Sequence, residues 1–152
     1  MPDVVGYSFL AVTFLLLCAA AWTDLESRTI PNAIPVAVFV VALAACIVLP
    51  DLRADWGWHA GSFVVMFALG FAAFAGRVLG GGDVKLLIAL SPWIALPKLA
   101  SLLLFIGVAG GALACIFILA ALVRRESGKT ALRQRIPYGV AILAGAVAVA
   151  IL

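Results

Sequence analysis

The stretch "RVLGGGDVKLL", Arg77 to Leu87, places three consecutive glycines and an aspartate at the mouth of an apolar run that continues to Leu96. Whether that run crosses a membrane decides the fold. Val84 to Leu96 is shorter than the ~20 residues a helix needs to span the hydrocarbon core, and Pro92 interrupts it. The segment is therefore expected to be tilted, kinked or partly re-entrant, where the other apolar runs read as plain spans.

Those other runs are Val4 to Trp22, Ala33 to Leu49, Gly57 to Gly76, Leu99 to Val123 and Ile136 to Leu152. With 66% hydrophobic residues, 11% charged residues and a mean hydropathy of +1.27, the chain has too little polar surface to coat a soluble globule. It reads as an all-α polytopic membrane protein with six transmembrane helices in a single domain, residues 1–152. A cleaved signal peptide is not expected, because "MPD" carries an acid and no Lys or Arg and the first apolar run is longer than a usual h-region. Cys18, Cys46 and Cys115 lie singly, with no C-x-x-C pair to bind zinc or do redox chemistry, and read as small buried hydrophobes. Gly107 and Gly111 form a G-x-x-x-G pair that reads as close helix packing within the protein.

Six spans put the odd loops on one side and both termini on the other. Arg28, Arg77, Lys85, Arg124, Arg125, Lys129, Arg133 and Arg135 fall on the odd side, and only Arg53 and Lys98 on the even side. That asymmetry places the odd loops in the cytoplasm and the termini outside. The net charge of +3 then reflects topology and contact of "RRESGKTALRQR" with anionic lipid, and nucleic acid is not an expected partner. Trp56 and Trp58 fit an outer interfacial belt and Trp22 an inner one, while lone His59 is assigned no role.

The acids sort by side as well. Asp3, Asp51 and Asp55 fall outside as solvated charges, and Glu126 sits among arginines. Asp24 and Asp83 share the cytoplasmic face, each so close to an apolar run that an ionised carboxylate costs up to ~2.5–3.5 kcal/mol if carried deep. Capping is the structural reading of each: Asp24 in the turn after the first helix, Asp83 as N-cap of the fourth. Their surroundings favour chemistry. Gly80, Gly81 and Gly82 permit positive φ and close approach of another backbone, and Pro31 stiffens the lead-in to the second helix, so an extended peptide can lie against the loop and meet two carboxylates. Two adjacent carboxyls divide the roles of base and proton donor, which is the chemistry of aspartyl proteolysis. It calls for no metal and no cofactor, and no H-E-x-x-H, G-x-S-x-G or P-loop pattern competes with it.

At these residues the chain resembles the type IV prepilin peptidases, bacterial members of the GxGD intramembrane aspartyl proteases. "GGGDVKLL" follows their G-x-G-D-x-K-L-L as Gly80, Gly82, Asp83, Lys85, Leu86 and Leu87; "DLESRTIPN" follows their first-aspartate segment as Asp24, Pro31 and Asn32; "IPYGVAI", Ile136 to Ile142, is similar to a recurrent segment opening their last helix. The resemblance implies six helices, catalytic Asp24 and Asp83 at the cytoplasmic ends of the first and fourth, and a substrate-binding loop of Gly80, Gly81, Gly82, Lys85, Pro31 and Asn32. It implies cleavage of prepilin or pseudopilin leaders in the inner membrane. Larger members carry paired C-x-x-C motifs and also methylate the new N-terminus; this chain lacks those pairs and looks most like the short peptidases of tight-adherence (Flp-type) pili, with archaeal preflagellin peptidases as near relatives by motif. The alternatives are a proton-coupled transporter subunit using the acids as a relay, and a catalytically silent pilus-assembly factor.

Overall fold

The computed structural model describes residues 4–123 and 138–151, and every regular element among them is helical. In chain order these are α1 (Val4–Ser27), α2 (Ala33–Val48), α3 (Pro50–Ala54), α4 (Trp56–Ala75), α5 (Gly81–Leu90), a 3-10 turn at Ser91–Trp93, α6 (Leu96–Val123) and α7 (Tyr138–Ile151). The basic segment "RRESGKTALRQR" with Glu126, and the expected helix start at Ile136, lie outside the described residues.

Among the described residues three helices are long and apolar enough to cross a membrane: α1, α4 and α6 over Leu96–Ala120. Helices α2 and α7 are apolar but shorter, at 16 and 14 residues. The fourth expected span is shorter still. Its helix α5 has 10 residues, about 15 Å of rise, before the chain tightens into the 3-10 turn. Half of its residues are buried, Val84, Leu86, Leu87, Ala89 and Leu90, because α5 packs between α2 and α4 and touches α7. On the other flank α7 lies along both α6 and α1. The core joins these layers through Leu17, Val38, Met66, Leu86, Leu102 and Ile142.

Ending α5 inside an apolar surround frees carbonyls that must be answered locally. Pro92 has no N–H to give Ile88, and the Ser91 hydroxyl donates to the Ile88 carbonyl at 2.7 Å instead. The Pro92 carbonyl accepts the Nδ1–H of buried His59 at 2.9 Å and the Cys46 thiol at 3.7 Å. His59, assigned no role from sequence, thus closes the turn that ends the half-length helix. The cysteines are not the buried residues expected from sequence: Cys18 and Cys46 are half-buried and Cys115 is exposed.

The glycine pair also reads differently in three dimensions. A Cβ at Gly107 or Gly111 would meet nothing within 4 Å among the described residues, so neither mediates packing between the described helices. The close approach of α6 and α7 falls at Gly145, set against Ile106, and at Gly110, where a Cβ would lie 3.2 Å from the Tyr138 ring.

His59→Phe keeps an aromatic ring and removes the donor to a buried carbonyl. A loss of about 1–3 kcal/mol is expected, read as a lower melting temperature of the detergent-purified protein. An unchanged melting temperature would show that the Pro92 carbonyl finds another donor.

Candidate active site

Helix α1 outlasts its apolar run by a full turn, carrying Asp24 inside the helix rather than in a loop after it. Asp24 is buried, at 6% exposure. Across the bundle, Gly80 takes the N-cap of α5 in extended geometry (φ −69°, ψ 150°), so Asp83 stands at the third helical position and not at the cap expected from sequence. A carboxylate in the first turn of a helix is favoured by the helix dipole. Both carboxylates line one cavity of roughly 620 Å³, together with Arg28, Ile30, the three glycines and Tyr138.

The glycines serve by lacking side chains and not by adopting positive φ, which none of the described glycines does. A Cβ on Gly82 would lie 3.2 Å from the Cβ of Ile30, in the connection between α1 and α2. A Cβ on Gly80 would lie 2.8 Å from Asp83 Oδ2, inside contact distance of the carboxylate. Left-handed backbone appears instead at Arg28 (φ 55°) and Arg77 (φ 57°), which follow the ends of α1 and α4 and both line the cavity. At Arg77 the chain closes α4 with Arg77 N–H to Phe74 carbonyl at 3.0 Å and Val78 N–H to Ala73 carbonyl at 2.9 Å, the Schellman pattern that usually employs glycine. Such a conformation costs a side-chain-bearing residue on the order of 1–3 kcal/mol. The Arg28 guanidinium lies 5.4 Å from the Phe117 ring centroid, tying the end of α1 to α6.

Lys85, Pro31 and Asn32 do not line the aspartate cavity. Lys85 Nζ donates to Asn32 Oδ1 at 2.9 Å, bracing α5 against the start of α2, and the Pro31 carbonyl accepts the Ile34 N–H at 3.0 Å as that helix begins. Asn32 makes no side-chain cap, its amide oxygen being used by Lys85. The two motif segments, far apart in sequence, are thus bonded to each other. Glu26, Asp51 and Asp55 are exposed, as expected of solvated charges.

One contact completes the site: the backbone N–H of Gly139, near the start of α7, donates to Asp24 Oδ2 at 2.7 Å. The chain belongs to the type IV leader peptidase family, whose match covers residues 11–152. No curated protein and no solved structure matches it. Membership agrees with the resemblance read from the sequence, and with the apolar helices it supports a membrane-bound protease of the leader-peptidase kind.

Gly139 bonds to one of the two candidate aspartates and has no role in the sequence reading, although it lies in the segment "IPYGVAI". A Cβ there would lie 3.1 Å from both Asp24 Cβ and Oδ2 and 3.3 Å from the Ala20 carbonyl oxygen. Gly139→Ala is expected to push α7 off Asp24 and lengthen the 2.7 Å bond, with a loss of activity of roughly tenfold, the worth of one hydrogen bond to a charged group. Leader cleavage rates of purified variant and wild type read this directly; equal rates would show that the contact does not position Asp24.

Gly80→Ala acts on the other carboxylate. The contacted atom is the tip of a side chain that can turn away, so the variant is expected to fold with an unchanged melting temperature while losing turnover. Gly82→Val meets Ile30 in the packed connection and is expected to lower both. Normal turnover in Gly80→Ala would show that the resting position of Asp83 does not matter to the reaction.

Proposed function

We propose that the protein is an aspartyl endopeptidase that removes the leader peptides of type IV prepilins or pseudopilins, those of Flp-type pili in particular, with Asp24 and Asp83 as its catalytic pair. The observation that carries the reading is the shared cavity, in which two carboxylates from separate helices face one space large enough for an extended peptide segment.

In the proposed reaction one carboxylate takes a proton from water as the oxygen attacks the scissile carbonyl, while the protonated partner polarises the carbonyl oxygen. Collapse of the tetrahedral intermediate breaks the C–N bond and passes the proton to the leaving amine. The N–H of Gly139 fixes one oxygen of Asp24 and leaves the other to work. The braces at Ile30–Gly82 and Lys85–Asn32 hold the two helix ends together.

The distribution of Lys and Arg supports an active site at the cytoplasmic face of a bacterial inner membrane, with both termini outside. A prepilin whose basic leader stays inside and whose following segment is apolar would present its cleavage point at that boundary. A relay for transported protons needs carboxylates spaced through the membrane. The described acids instead sit near helix ends, Asp24, Glu26 and Asp83 at one end of the bundle and Asp51 and Asp55 at the other.

Asp24→Asn and Asp83→Asn are each expected to reduce leader removal by roughly 10²–10⁴-fold or more, the scale of a lost general acid or base. Glu26→Gln, Asp51→Asn and Asp55→Asn should cleave at the wild-type rate. Mass spectrometry of a prepilin incubated with purified protein reads the leader loss. Near-normal cleavage by either catalytic-pair variant would exclude the aspartyl mechanism.

A further inference from the structure

α5 ends at Leu90 and its 3-10 turn at Trp93, so this segment does not fill the end of the bundle away from the aspartates. A cavity of roughly 510 Å³ lies there between α1, the C-terminal half of α7 and the start of α6. Its walls are mostly apolar, Leu17, Phe14 and Ala150 among them, and no acidic residue lines it.

Two buried hydrogen-bond donors of this wall have no partner among the described residues. Among the described residues the buried side-chain polar atoms without a partner are Thr13 Oγ1, Ser62 Oγ and Trp93 Nε1, and two of the three belong to this cavity. Thr13 is itself 5% exposed, and the indole N–H can only donate. At the rim stands exposed Lys98, one of only two basic residues on that side of the chain's charge pattern. His59 is already committed through Nδ1 to the Pro92 carbonyl. The matching occupant carries an anionic oxygen at one end, further acceptor oxygens behind it, and a long apolar body.

We propose that this cavity is a binding site for an anionic glycerophospholipid of the surrounding leaflet, its phosphate at Lys98, its ester oxygens toward Trp93 and Thr13, and an acyl chain along Leu17 and Ala150. A free phosphate offers the same oxygens but leaves the apolar walls wet, which disfavours it. The lipid supplies the apolar filling that the missing half of the fourth helix does not, and a counter-charge for Lys98. The proposal is independent of the catalytic reading.

The test is native mass spectrometry of the full chain in detergent, offered phosphatidylglycerol, phosphatidylcholine or glycerol 3-phosphate, with thermal unfolding in parallel. Wild type is expected to retain phosphatidylglycerol in preference to phosphatidylcholine and to be stabilised by it. Lys98→Gln, at an exposed position, should lower that retention roughly tenfold, as one lost charge-assisted contact does. Arg53→Gln, changing the other basic residue on that side, should retain lipid like wild type, and Thr13→Val with Trp93→Phe should weaken retention further. Equal retention of the two lipids, undiminished retention by Lys98→Gln, or full stabilisation by glycerol 3-phosphate alone would each overturn the proposal.

Discussion

Ile30 rests against the bare Cα of Gly82, and this contact sets how closely the connection between α1 and α2 can approach the first turn of α5. A methyl group at that point would sit 3.2 Å from the Ile30 side chain and 3.5 Å from its backbone nitrogen, which cannot swing aside as a surface side chain would. The Lys85–Asn32 bond holds the same two segments from the neighbouring face. Asp24, six residues before Ile30, and Asp83, next to Gly82, are thereby brought to one cavity. Their meeting is a consequence of packing between segments that are more than fifty residues apart, which makes the glycine a structural requirement of the site.

The second constraint is the brevity of α5. A helix that ends within apolar surroundings leaves backbone carbonyls unanswered, and Ser91, His59 and Cys46 answer them within the turn at Pro92. In exchange the short helix recesses neither of its ends fully: the glycine-rich mouth opens on the aspartate cavity, and the turn opens on the cavity beside Lys98. One truncated element thus gives the bundle an opening at each end.

Apolar runs carried most of the helix positions, because burial in lipid demands continuous hydrophobicity whatever the neighbours do. The starts of α2 and α4 fall within a residue of expectation for that reason. The end of α1 does not, since Thr23, Asp24, Glu26 and Ser27 are polar yet remain helical, and the position of Asp24 within the helix was hidden by them. The aspartates and glycines were legible through their motif spacing. Gly139 was not, because a backbone N–H has no side chain to mark it and its partner lies 115 residues away. Of the two freedoms the glycines offered, positive φ and close backbone approach, only the second is used: glycine permits left-handed backbone but does not compel it, and the helix ends at Arg28 and Arg77 adopt it despite their side chains.

The central claim is that the two aspartates face each other across one space. In a chain with Cys18, Cys46 and Cys115 replaced by alanine, Asp24→Cys combined with Asp83→Cys tests it through a short bifunctional thiol reagent. The cavity geometry predicts rapid cross-linking within the chain, seen as a protected pair of thiols in the intact mass, while Asp24→Cys combined with Asp51→Cys stays unlinked. Linkage of the 24–83 pair no faster than that of the 24–51 pair would contradict the shared site.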